Sequence, residues 1–181
     1  MPGQTFERDM VHAFNNYFER CKVKAIAYRH YQMRYQPQLF DVLVDSRRNE
    51  LYLAMECKSI DTNSVSCLYF KKHFSWKGEV CQVERENTWL ERAGRNAFLV
   101  VEARRGKNKR TTVFFVPWRT VWYSFSRGYP SLDGDQITYC PAIDKQGGKY
   151  IIEEDFMEQL VKTLDSGPKQ GKYVKPKRRS G

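Results

Sequence analysis

Residues 40–59 read FDVLVDSRRNELYLAMECKS. Two apolar runs flank the polar turn SRRN, the pattern of a β-hairpin. A strand sends successive side chains to opposite faces. Leu51, Leu53, Met55 and Cys57 therefore share one side of the second strand, and Tyr52, Ala54, Glu56 and Lys58 share the other. The first side reads as core. The second carries a carboxylate and an ammonium near the end of an otherwise apolar strand. That pair is open to two readings, an ordinary ion pair or half of a metal site.

Outward from the hairpin, the pattern alternates between the two basic periods. Toward the N-terminus, TFERDMVHAFNNYFERC (residues 5–21) places Phe6, Met10, Phe14, Tyr17 and Cys21 on one helical face, with Thr5 as the expected N-cap. VKAIAYRHYQ reads as a strand. RYQPQLF reads as a connector, because Pro37 cannot serve a central strand. Residues 60–77 are polar and aromatic without a clear period and read as a loop. EVCQVERENTWLERAG is helical, with Gly94 as its C-terminal cap. NAFLVVEA and TTVFFVPW are strands on either side of a basic loop, and RTVWYSFSRG is a short helix. Gly147-Gly148 is a turn signal, followed by a strand fragment and a last helix. This order predicts an α/β domain, a central mixed β-sheet flanked by helices on both faces. The folded domain is expected over residues 1–167. Residues 168–181 form a basic tail with little to bury, expected to be disordered on its own.

The chain has 181 residues, a formal net charge of +10 and a pI near 9.4. Such a balance favours a polyanionic partner, nucleic acid before an anionic membrane. Two clusters concentrate it. ARRGKNKR holds Arg104, Arg105, Lys107, Lys109 and Arg110. Residues 165–181 carry six basic side chains against Asp165 alone, a net of +5. Each cluster has a plain reading, a solvated loop or tail, but together they favour nucleic acid. The five cysteines form no CxxC pair and no zinc spacing, and their odd number speaks against a closed disulfide framework. No apolar run approaches the length of a membrane span. A soluble, cytoplasmic, nucleoid-associated protein with reduced thiols is expected.

Asp41 opens the first strand of the hairpin, so pairing brings it toward Glu56. Two converging carboxylates suit a hard cation such as Mg²⁺, which takes oxygen ligands and keeps several waters. Glu7, on the first helix beside its apolar stripe, can reach the same edge as a third acid. Lys58 then stands where an ammonium orients an attacking water or offsets charge developing on a phosphate. Metal, acids and lysine together form a plausible phosphodiester-hydrolysis site. Alternatives are weaker. His12, His30 and His73 share no ligand spacing. No glycine-rich phosphate loop or nucleophile elbow is present. Tyr69, Phe70, Phe74 and Trp76 are open to two readings, stacking on unpaired bases or a dimer seam. Trp118, Trp122 and Tyr123 read as core or seam.

With its Asp strand followed by Glu-x-Lys, the stretch resembles the PD-(D/E)xK nuclease superfamily. GQTFERDMVHAFNNYF is similar to the opening helix of the Holliday-junction resolvases within it, which carry an early Glu. QVERENTWLERAGRNAFLVVEA looks like their next helix-and-strand unit, with Gln82 at the position that helps arrange the site. The likeness extends to both the archaeal-type resolvases and the recombination protein U type, over residues 3–120. It implies a restriction-endonuclease-like fold and catalytic residues Glu7, Asp41, Glu56, Lys58 and Gln82. Asp41, Glu56 and Glu7 would hold Mg²⁺, with Mn²⁺ able to substitute. It also implies a homodimer that resolves four-way DNA junctions by paired hydrolysis. Arg8, Lys71, Lys72, Arg104, Arg105, Lys107, Lys109 and Arg110 are the expected DNA contacts. The chain departs from the pattern in three places. Phe40 stands where the family name has Pro. SVSCLYFKKHFSWKG does not align with the loop that members use on branched DNA, and the region beyond Pro117 is longer than in the minimal enzymes. A restriction or repair nuclease acting on duplex or fork DNA, and an inactive DNA-binding module on the same fold, remain as alternatives.

Overall fold

The computed structural model describes residues 2–30, 39–62, 67–106 and 111–165. In chain order these form α1 (Pro2–Arg20), β1 (Ala25–Arg29), β2 (Val42–Ser46), a 3₁₀ turn (Asn49–Leu51), β3 (Leu53–Asp61), β4 (Leu68–Tyr69) and α2 (Phe70–His73). Then come β5 (Trp76–Lys77), β6 (Val80–Cys81), α3 (Gln82–Ala93), β7 (Asn96–Arg104), β8 (Thr112–Pro117) and α4 (Trp118–Ser126). The chain continues with β9 (Ser131–Leu132), α5 (Gly134–Thr138), β10 (Ala142–Gln146), β11 (Lys149–Tyr150) and α6 (Glu154–Asp165).

Seven strands form one sheet in the order β1-β2-β3-β7-β8-β10-β11. β3 and β7 run parallel, from Leu53 opposite Asn96 to Asp61 opposite Arg104. The other neighbours in the sheet are antiparallel, so the sheet is mixed. The fold is the expected α/β class, a central mixed sheet with helices on both faces. Strand alternation divides the core in two. Val42, Val44, Leu53, Met55, Phe98, Val100 and Phe115 pack against Phe6, Met10, Phe14 and Phe18 of α1 and Phe156, Met157 and Leu160 of α6. Leu43, Ala54, Leu99, Val101 and Val116 pack against Val83 and Leu90 of α3, Trp118 and Val121 of α4, and Ile137 of α5. β7 is buried on both faces from Ala97 to Ala103, which is why Ala97 to Val101 form a continuous apolar run rather than an alternating one; Glu102 is the one charged residue of that buried stretch.

The hairpin at 40–59 forms, with Val42 opposite Met55 and Val44 opposite Leu53, but its second strand begins at Leu53, because Asn49–Leu51 form a 3₁₀ turn. α3 ends at Gly94 in the left-handed conformation, φ 66°, where a side chain would be strained. Gly147 and Gly148, at φ 54° and 81°, close the two-residue turn between β10 and β11, where positive φ at both central positions matches the strand twist. Other readings need correction. α1 begins at Pro2, so Thr5 lies inside the helix rather than capping it; proline's fixed φ and missing N–H suit the first turn. β3 runs three residues beyond Lys58, to Asp61. The segment read as a loop contains β4, α2 and β5 among its described residues. β4 pairs with β9, Leu68 opposite Leu132. Among the described residues no helix is long and apolar enough to cross a membrane. Residues 168–181 lie outside the described residues.

Candidate active site

The site lies where β2 begins and β3 passes its midpoint. Phe40, immediately before Asp41, is fully buried and has a left-handed backbone, φ 58°. Its ring packs at 5.5 Å from Trp89 and 5.0 Å from Trp118. A bulky residue at positive φ is strained, and such strain persists only where the surroundings impose it. The turn delivers Asp41 onto β3. Asp41 N–H donates to the Met55 carbonyl at 3.0 Å, and its Oδ2 accepts from the Cys57 N–H at 2.8 Å. The Asp41 carboxylate is thereby fixed beside Glu56.

Glu56 shares the Ala54 face of β3, under α3, and is only 2% exposed. Two side chains hold it. Lys58 Nζ donates to its Oε1 at 2.5 Å, as the two-residue strand period requires. Gln82 Nε2, in the first turn of α3, donates to the same oxygen at 2.7 Å and to Glu86 Oε1 at 2.8 Å. Gln82 is itself fixed, its Oε1 accepting from the Ser75 N–H at 3.1 Å. Lys58 Nζ also sits 5.1 Å from the centre of the Phe74 ring, a cation–π distance.

The electrostatics are those of crowded acids. Burial, reinforced by the Glu56 charge, pushes Asp41 up to about 8. Burial, again with Glu56 beside it, holds the Glu86 carboxyl well above the usual range. Burial works to lower the Lys58 ammonium, but the Glu56 charge and hydrogen bond outweigh it and its pKa is raised. Lys58 is therefore a firmly held cation. Asp41 and Glu56 form an oxygen-donor pair of the kind that suits Mg²⁺, and a cation there would relieve the repulsion between them. Among the described residues no group of three or more acids, histidines or cysteines is arranged to hold a metal. Glu7 is engaged by Arg29, at 2.7 and 2.9 Å. Its charge still reaches Asp41, so it stands at the margin of the pair rather than within it.

The other sequence-derived candidates scatter. Arg8, Lys71, Lys72 and Arg105 are exposed. Arg104 is held by Glu102, at 2.5 Å, and by Ser59, at 3.2 Å, inside a network that Tyr150 completes through its hydroxyl donating to Glu102. Lys107, Lys109 and Arg110 lie outside the described residues. His12 is exposed on α1, while His30 and His73 contact the Leu39 and Tyr69 carbonyls; none joins the acids. Phe70 and Phe74 are buried, whereas Tyr69 and Trp76 are 45% and 43% exposed. Trp118 is core, and Tyr123 is exposed. Sequence reasoning overlooked Glu86, which is fully buried. The available signal was Gln82 and Glu86 at i, i+4 on the same helical face as Val83 and Leu90.

No protein-family model matches the chain, and no curated protein matches it. Among solved structures, the chain is similar to Hjc of Archaeoglobus fulgidus, a Holliday junction resolvase from an archaeal hyperthermophile. Identity is 20% and the TM-score 0.48, covering 76% of this chain and 93% of that one.

Proposed function

We propose that this protein is a Mg²⁺-dependent DNA endonuclease of the PD-(D/E)xK type, acting on four-way junctions as a homodimer. The observation that carries the chemistry is the joining of Asp41, Glu56 and Lys58 at one point of the sheet, with Gln82 holding Glu56. Asp41 and Glu56 would hold the ion, and Mn²⁺ fits the same oxygen donors. When bound, the ion supplies Lewis-acid activation of water and neutralises phosphate charge. Lys58, held against Glu56, orients the attacking water or offsets the charge that develops on the phosphate. Glu7 adds negative charge behind Asp41. Exposed Lys71 and Lys72 on α2 stand on the segment whose Phe74 faces Lys58. With Arg8 and Arg105 they are proposed phosphate contacts, in keeping with the net charge of +10. The folded domain is proposed to end near residue 167, with the basic tail as an accessory.

The test is cleavage of a mobile four-way junction, a fork and plain duplex in Mg²⁺. Asp41→Asn and Glu56→Gln are expected to abolish cutting while leaving DNA binding largely intact, because phosphate contacts supply most of the affinity. Ca²⁺ is expected to support binding but not cutting. A variant that cuts at the wild-type rate removes the assigned site. Equal cutting of duplex and junction moves the substrate to the restriction or repair class. No cutting of any DNA, with binding retained, leaves the inactive-module alternative.

A further inference from the structure

α3 turns toward the sheet with Gln82, Val83, Glu86 and Leu90 buried. Apolar residues at all four positions would pack this face. Instead Glu86 lies fully buried against the backbone of Phe40, the kind of placement that costs stability unless something is gained in return. Its hydrogen bonds indicate the gain. Oε1 accepts from Gln82 Nε2 at 2.8 Å, the nitrogen that also donates to Glu56. The same oxygen accepts from the Phe40 N–H at 3.3 Å, the backbone group just before Asp41 in the strained turn. One carboxyl oxygen on a rigid helix thus contacts the supports of both candidate metal ligands, Glu56 on β3 and Asp41 at the start of β2. The other oxygen, Oε2, is buried and accepts no hydrogen bond among the described residues.

We propose that Glu86 is a positioning residue that fixes the separation of Asp41 and Glu56, and so sets the affinity of the site for a divalent cation. This rests on the metal reading of the acid pair. Partners that orient ligands from outside the coordination sphere typically alter metal affinity about 10–100-fold when removed. A residue kept only for packing behaves differently, because an apolar replacement of similar volume would leave cation binding unchanged.

The experiment is calorimetric titration of the full-length protein with Mn²⁺, without DNA, alongside thermal melts in a chelator. Glu86→Met, which leaves the buried Phe40 N–H without its acceptor, is expected to melt somewhat below wild type and to bind Mn²⁺ at least tenfold more weakly. Glu86→Gln, which keeps an acceptor oxygen for Gln82 and Phe40, is expected to bind within about threefold of wild type. Wild-type protein that takes up no Mn²⁺ overturns the metal reading itself, and this inference with it. Wild-type binding with equal binding by Glu86→Met overturns the positioning role alone. So does Glu86→Gln binding as weakly as Glu86→Met.

Discussion

At the scale of single residues, Lys58 separates an active site from an ion pair. A surface pair is worth about 0–1 kcal/mol and contributes nothing to rate. Here the lysine side chain is 20% exposed and its partner 3%, so Lys58→Ala leaves a buried carboxylate with Gln82 as its remaining side-chain donor, at a cost of roughly 1–3 kcal/mol. Single-turnover cleavage at saturating enzyme is expected to slow about 10²-fold or more, with little change in DNA affinity. An unchanged rate constant would reduce Lys58 to a structural role. Asp41 makes a separate prediction about pH. Its carboxyl is near 3.9 in an unfolded chain and about 8 in the folded one. Between those values the native state keeps a proton that the unfolded state has released, so stability falls as pH rises through that window. Denaturation midpoints in chelator, at pH 5 and pH 8, are expected to differ more for wild type than for Asp41→Asn. Equal differences in the two proteins would show that Asp41 is not the group that resists ionisation.

Secondary-structure elements show why part of the site was legible and part was not. The hairpin at 40–59 follows from periodicity, the strand at 96–104 from its apolar, β-branched run, and α3 from its spacing and Gly94. Asp41, Glu56, Lys58 and Gln82 could be singled out because they fall at fixed positions on those elements. β4, β5, β6 and β9 have two residues each, too short for any period, and the pairing of Leu68 with Leu132 depends on segments distant in sequence. Glu86 was overlooked because a glutamate on a helix reads as solvent-facing until the sheet beneath it is known. Glu7 was visible as an acid on α1, but its capture by Arg29 of β1 was not. Phe40 was noted only as a departure from proline; its left-handed backbone emerges from the packed structure. That turn is open to a direct test. Removing the ring, as in Phe40→Ala, is expected to cost about 3–5 kcal/mol. At an ordinary buried site glycine would be worse than alanine by roughly 0.5–1 kcal/mol. At φ 58° the order should reverse, because glycine takes this backbone without strain. Urea denaturation of Phe40→Ala and Phe40→Gly decides it, and a more stable alanine variant would show that the left-handed turn is not kept in solution.

For the whole molecule, the distribution of charge separates affinity from selectivity. Glu56 and Glu86 of the candidate site are buried and Asp41 is partly buried, while Arg8, Lys71, Lys72 and Arg105 are exposed, so on the proposed function long-range attraction to a polyanion comes from outside the candidate site. Residues 168–181 add six more basic side chains and no acid. On duplex DNA each phosphate contact contributes about 0.9 to the slope of log affinity against log salt. Deleting residues 168–181 is therefore expected to weaken binding to junction, fork and duplex alike and to flatten the salt dependence by up to roughly five units, if each basic group makes one contact. Cleavage positions should stay where they are, because Asp41 at the start of β2 and Lys58 on β3 are held by the Cys57 N–H and Glu56. A two-fold dimer presents the same surface twice, which suits the near-symmetry of a four-way junction. Sedimentation should then give twice the 21.5 kDa mass of the chain, with or without residues 168–181. If the deletion moves the cut sites, or loses junction binding while duplex binding survives, the tail carries recognition rather than general attraction, and selectivity does not belong to the folded domain alone.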